Sequence, residues 1–133
     1  MIASSGLTLD ASVVIAHLNP EDQHHRRATG LLDDYADQRL WISTITLAEV
    51  LTGYARANAL STGENDVGAL DAEEAGLPPD AASRLATLRA ETGLKLPDCC
   101  VLLAAEQTGA AVASFDDRLR QEAERRGLAV VPA

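Results

Sequence analysis

The sequence predicts an α/β fold, a three-layer α/β/α sandwich around a central, mainly parallel sheet. Short apolar runs alternate with longer stretches of helical periodicity along the whole chain, the pattern of strands joined by crossover helices. Such a sheet is covered on both faces, and runs such as AAVASF and LAVVP are apolar enough to be its strands. With 133 residues, 47% hydrophobic and 23% charged, the chain is expected to form one domain over residues 1–133, of ordinary globular composition.

Each element has its own signal. GLTLD is a short strand ending at Asp10, and ASVVIAHL continues from it with helix-compatible residues. In NPEDQHHRRATGLLDDYADQ, Asn19 is the expected N-cap of a helix, Pro20 its first residue, and Glu21 and Asp22 its first-turn acids. RLWIST is a second strand. TLAEVLTGYARANAL is helical, with Leu47, Val50, Leu51 and Tyr54 on one stripe and Thr46 and Glu49 forming a capping box. Residues 61–80 carry Gly, Pro and acids and admit a short strand or helix, and the acidic stretch Ser61–Ser83 reads as a solvated loop or a docking surface for a basic partner. PDAASRLATLRAETG is a helix stopped by Gly93, and PDCCVLLAAEQTG a second one running from Pro97 to Gly109. AAVASF is a strand ending at Asp116, DRLRQEAERRG a charged surface helix, and LAVVP a terminal strand.

Composition narrows the function. There is no apolar run of the ~18 residues that a membrane span needs, and no secretory leader pattern, so a cytoplasmic protein without membrane contact is expected. The adjacent Cys99 and Cys100 read as small buried hydrophobes, since neighbours on a helix point apart. His17 reads as partly buried at a helix end, and His24 and His25 as a solvated surface pair; neither grouping resembles a zinc site. A net charge of −9 argues against a nucleic-acid partner, but six of the 20 acids fall between Ser61 and Ser83, where there is no Lys, Arg or His. Ten of the eleven basic residues are Arg, whose fork suits phosphate. The charge is therefore a weak objection.

Four acids stand out by position. Asp10 and Asp116 each follow a strand, where open parallel sheets bind ligands, while Glu49 and Asp98 lie early in helices. Taken singly, each is explained as a cap or a first-turn acid favoured by the helix dipole. Together they share one edge of the sheet. Two like charges ~4 Å apart repel by about 1 kcal/mol in water and ~4 kcal/mol at an effective dielectric of 20. Only Asp116, with Arg120, and Asp98, with Lys95, have a basic residue at helical spacing. A divalent cation is the expected remedy, and an all-oxygen set without His or Cys points to Mg²⁺ or Mn²⁺.

LTLDASVVIAHL, STITLAEVL, GLKLPDCCVLLAA and AAVASFDDRL, in this order, resemble the four acidic blocks of the PIN domain, and more narrowly the VapC-type toxins of bacterial and archaeal toxin–antitoxin pairs. The resemblance runs from about residue 6 to residue 120. It implies a metal-dependent endoribonuclease that leaves 5′-phosphate and 3′-hydroxyl ends. Asp10 and Asp98 match the principal metal-binding aspartates, Glu49 the glutamate of the third helix, and Asp116 the fourth acid. Ser12 and Ser114 match small hydroxyl residues beside the site. Asp117 follows Asp116 at once, so either could be the fourth acid. The resemblance also implies a homodimer and a cognate antitoxin. The expectation is a Mg²⁺-dependent ribonuclease acting on an RNA substrate. Two other readings stand beside it: a PIN-like scaffold that binds RNA or protein without cutting, and an α/β phosphoryl-transfer protein using Asp10. Against the latter, Ser12 stands where an aspartyl phosphatase has a second Asp, and a receiver domain would need a lysine after its last strands.

Overall fold

The computed structural model describes residues 6–133. Five strands, β1 (Leu7–Leu9), β2 (Leu40–Ser43), β3 (Glu73–Ala75), β4 (Ala111–Ala113) and β5 (Val130–Val131), form one sheet. Seven helices connect them: α1 (Ala11–Leu18), α2 (His25–Asp34), α3 (Thr44–Arg56), α4 (Leu60–Gly68), α5 (Ala81–Thr92), α6 (Leu96–Thr108) and α7 (Asp117–Arg125). The strand order is β3-β2-β1-β4-β5 and every pairing is parallel, so the sheet is wholly and not just mainly parallel. The chain winds outward from β1 to β3, then returns to the other side of β1 for β4. The boundary between β1 and β4 is thus the topological switch point, where connections leave in opposite directions and open a crevice.

Alternation along each strand builds two cores. Leu7 and Leu9 of β1, with Leu40 and Ile42 of β2, face α1, α2, α3 and α4 through Val13, Val14, Leu31, Val50 and Val67. Val112 of β4 faces the opposite way, into a cluster with Leu85, Leu88, Leu102 and Leu119 from α5, α6 and α7. Helix α6 is apolar almost all round, with Cys99–Ala105 continuously buried, because it lies between the sheet and α5. Both cysteines are buried free thiols, as their sequence context implies. Gly93 and Gly109 close α5 and α6 in the left-handed conformation expected of them.

Several local expectations fail for tertiary reasons. Asn19 does not cap a helix. It ends α1, and its side chain accepts from the Glu21 N–H at 3.0 Å, while Asp22 accepts from the His24 N–H at 2.8 Å. These side-chain turns occupy residues 19–24 and delay α2 to His25. The Thr46–Glu49 capping box is also absent: α3 begins directly at the end of β2, so Ser43 is the N-cap and its hydroxyl accepts from the Ile45 N–H at 3.3 Å. His24 and His25 are not a solvated pair. His24 stacks on Phe115 at 4.7 Å, and His25 Nδ1 lies 2.9 Å from the Ala16 carbonyl. Residues 61–80 hold most of α4 and all of β3, as the short strand or helix expected there, so Ser61–Ser83 is not simply a solvated loop. Their acids are partly satisfied there: Arg39 donates twice to Glu73 at 3.1 and 2.7 Å, and Thr44 donates to Glu74 at 2.6 Å.

Candidate active site

The switch point brings the β1–α1 and β4–α7 junctions side by side. Leu9 pairs with Ala113, so the next residues, Asp10 and Ser114, leave the sheet together. Asp10 is the N-cap of α1 and is only 6% exposed. One carboxylate oxygen accepts from the Ala11 N–H at 2.8 Å. The other accepts from two hydroxyls, Ser12 at 2.7 Å and Ser114 at 2.8 Å. Each hydroxyl oxygen accepts in turn from the second junction, Ser12 from the Phe115 N–H at 3.1 Å and Ser114 from the Asp116 N–H at 2.9 Å. Asp10 is therefore immobilised by groups far apart in sequence. Ser12 and Ser114 hold an acid in place and clip the two loops together.

The remaining acids surround this fixed point. Asp98 lies in the first turn of α6, half-buried, with its carboxyl pushed up to about 6 by burial first and then by the charges of Asp10 and Asp116. Lys95 and Arg118 oppose that rise without cancelling it. Glu49 on α3 is exposed, yet its carboxyl is also raised, by partial loss of hydration and then by Asp10 and Asp98. Burial, then the neighbouring Cys99 and the charge of Glu49, push the Cys100 thiol up to about 11, so this sulfur stays protonated beneath the acids. Asp116 caps α7, accepting from the Leu119 N–H at 3.0 Å. Asp117, also exposed, begins α7, and it is the charge of Asp116 that bears on Asp98. Arg120 does not neutralise Asp116; its guanidinium donates to the Ser114 and Pro132 carbonyls at 3.0 and 2.6 Å.

Asp10, Glu49, Asp98 and Asp116 are thus linked by their charges, Glu49 with Asp10 and Asp98, and Asp98 with Asp10 and Asp116, on two helices and two strand–helix junctions that meet only in the folded chain. Among the described residues no group of three or more Asp, Glu, His or Cys side chains is close enough together, as placed, to hold a metal ion, so a cation would have to draw the acids inward. Asp10 and Asp116 are tied by hydrogen bonds, whereas among the described residues none restrains Glu49 or Asp98. The donor set is all carboxylate, carries excess negative charge and has two arms free to turn. It fits a hard divalent cation such as Mg²⁺ or Mn²⁺ better than a softer metal. Sequence reasoning missed Arg118, which flanks the acids and donates to the Thr92 carbonyl at 3.2 Å; its only linear signal is its place next to Asp117. Beside Glu49 an apolar groove of about 340 Å³ runs between α1 and α3, lined by Ile15, Leu18, Val50, Gly53 and Tyr54.

The PIN domain family model matches residues 7–124. The chain belongs to the PIN domain family. No curated protein sequence matches it. Among solved structures, a toxin–antitoxin complex from Klebsiella pneumoniae is similar at 25% identity and a TM-score of 0.68, covering 84% of this chain and 87% of that one. FitAcB from Neisseria gonorrhoeae gives a TM-score of 0.73 at 21% identity, covering 93% and 95%. VapC20 of Mycobacterium tuberculosis, described as a sarcin-ricin loop cleaving toxin, gives 0.71 at 16% identity, covering 92% and 96%. The last two likenesses concern the fold. As a PIN domain, the chain shares it with toxins of toxin–antitoxin pairs.

Proposed function

We propose that this PIN domain is a metal-dependent endoribonuclease, the toxin of a toxin–antitoxin pair. The observation that carries the reading is the group of four mutually repelling carboxylates gathered at the switch point around an immobilised Asp10. A retired site would have no reason to keep that repulsion, which raises Asp98 and Glu49 against their own ionisation.

Asp10 and Asp98 would hold Mg²⁺ or Mn²⁺, with Glu49 and Asp116 joining directly or through water. The ion, when bound, supplies positive charge for the phosphate and lowers the pKa of a water for in-line attack. The chain's own contribution is positional. Ser12 and Ser114 keep Asp10 from turning away, and Glu49 and Asp98 are free to close. Lys95 and Arg118 set positive charge at the rim, where an RNA phosphate would pass. The VapC20 likeness supports RNA as the substrate class, and the Klebsiella complex supports an antitoxin as partner. The apolar groove beside Glu49 is the surface an antitoxin segment would cover. Homodimer formation belongs to the same proposal.

The test is incubation of purified protein with total RNA and Mg²⁺, comparing wild type with Asp98→Asn. Cleavage by wild type alone, abolished by EDTA, is expected. Equal cleavage by both proteins removes the site assignment.

A further inference from the structure

Thr46 is fully buried, and its hydroxyl has no hydrogen-bond partner among the described residues. Such an atom is costly, since an unsatisfied buried hydroxyl forfeits its hydration without compensation. Its usual excuse, capping the helix, is taken by Ser43.

The position of Thr46 is specific. Helix α3 is the one helix with side chains in both cores: Val50 lies in the core with α1, and Ile45 packs against the core with α6. Asp10 opens α1 and Asp98 is in the first turn of α6. The first turn of α3 therefore sits where the two cores meet at the carboxyl edge of the sheet, and one turn on, Glu49 feels the charges of both acids. Thr46 precedes Glu49 by three residues, and helical spacing puts the two on one face. Thr46 is the inner member of the pair and Glu49 the solvent-facing one.

We infer that Thr46 is a positioning residue whose hydroxyl finds its partner only when a divalent cation is bound. Glu49, exposed and unrestrained in the free chain, turns inward onto the cation, and Thr46 donates to its carboxylate or to a cation-bound water beside it. The unsatisfied hydroxyl thus favours the loaded state over the free one, and its cost in the free chain is recovered on binding. This inference rests on the metal-site reading above.

The experiment compares wild type, Thr46→Val and Thr46→Ser by thermal unfolding in EDTA and across a Mn²⁺ titration. Thr46→Val keeps the shape and removes the hydroxyl, so its Tm in EDTA should equal or exceed that of wild type, while its Mn²⁺ affinity falls about tenfold, one hydrogen bond's worth. Thr46→Ser should respond to Mn²⁺ as wild type does, whatever its Tm in EDTA. Equal Mn²⁺ affinities for wild type and Thr46→Val overturn the inference and leave the metal site standing. So does a Thr46→Val protein that unfolds earlier than wild type in EDTA or fails to fold, because the hydroxyl then has a partner in the free chain. A wild type that ignores Mn²⁺ overturns the metal site and the inference with it.

Discussion

At the scale of single residues, the chemistry of Asp98 separates stability from activity. Its carboxyl is raised from an ordinary value of 3.8 to about 6, chiefly by burial, so the folded chain holds this proton more tightly than the unfolded one. The favourable contribution is complete below about pH 4 and is lost as the pH climbs through about 6. Metal-free wild type should therefore lose stability across that window, and Asp98→Asn should flatten the slope and melt higher than wild type at pH 7.5 in EDTA. The same variant should be inactive on RNA. A lower Tm for Asp98→Asn under these conditions would show that the acids do not oppose one another. Ser114→Ala tests the opposite kind of residue. It removes one of two hydroxyls from a buried carboxylate and one acceptor from the Asp116 N–H, so it should cost roughly 1–3 kcal/mol in denaturant unfolding. Cleavage should fall with it, because Asp10 is then free to turn.

At the scale of elements, Ser43 rather than Thr46 carries the start of α3. Ser43→Ala should lower stability by about 1 kcal/mol, the usual worth of an N-cap, as read from urea midpoints. How much could be read beforehand follows the same division between local and distant causes. Gly93 and Gly109 end their helices by backbone conformation alone, so both stops were legible, as were the apolar runs of β1, β2 and β4. Asn19 was misread because Pro20 satisfies a helix start equally well on paper, and only the turns at Asn19 and Asp22 reveal that α1 has to stop first. The Thr46–Glu49 box failed because the end of β2 fixes where α3 begins. In the acid-rich 61–80 stretch a short strand or helix was expected but not which or where, because α4 and β3 depend on Val67 reaching the core and on Arg39 and Thr44 donating to Glu73 and Glu74. In the candidate site, all four acids were visible as residues at junctions. The reach of Arg118 to Asp98 and the unpartnered state of Thr46 exist only after folding.

At the scale of the whole molecule, two surfaces meet at Glu49: the acid cluster on one side and the apolar groove on the other. A partner seated in that groove would lie against a metal-site arm, which couples protein binding to control of the site without a separate regulatory domain. Ile15 is 43% exposed on the groove wall. If the proposed function holds, Ile15→Asp should abolish co-purification with a cognate antitoxin while leaving RNA cleavage by the free protein intact. Loss of both together would mean that the groove belongs to the fold and not to a partner. Net charge enters at this scale too. Under the proposed activity, a net charge of −9 confines RNA contacts to the few cations at the rim, so binding should weaken only modestly with salt, in proportion to that small number of phosphate contacts.

The second of the two hydroxyls that steady Asp10 arrives 104 residues later in the chain. A ribosome has thus made most of the polypeptide before its first acid can be set, and Glu49 likewise waits for Asp98. Under the proposed activity, an unfinished or prematurely terminated product is harmless to the cell that makes it.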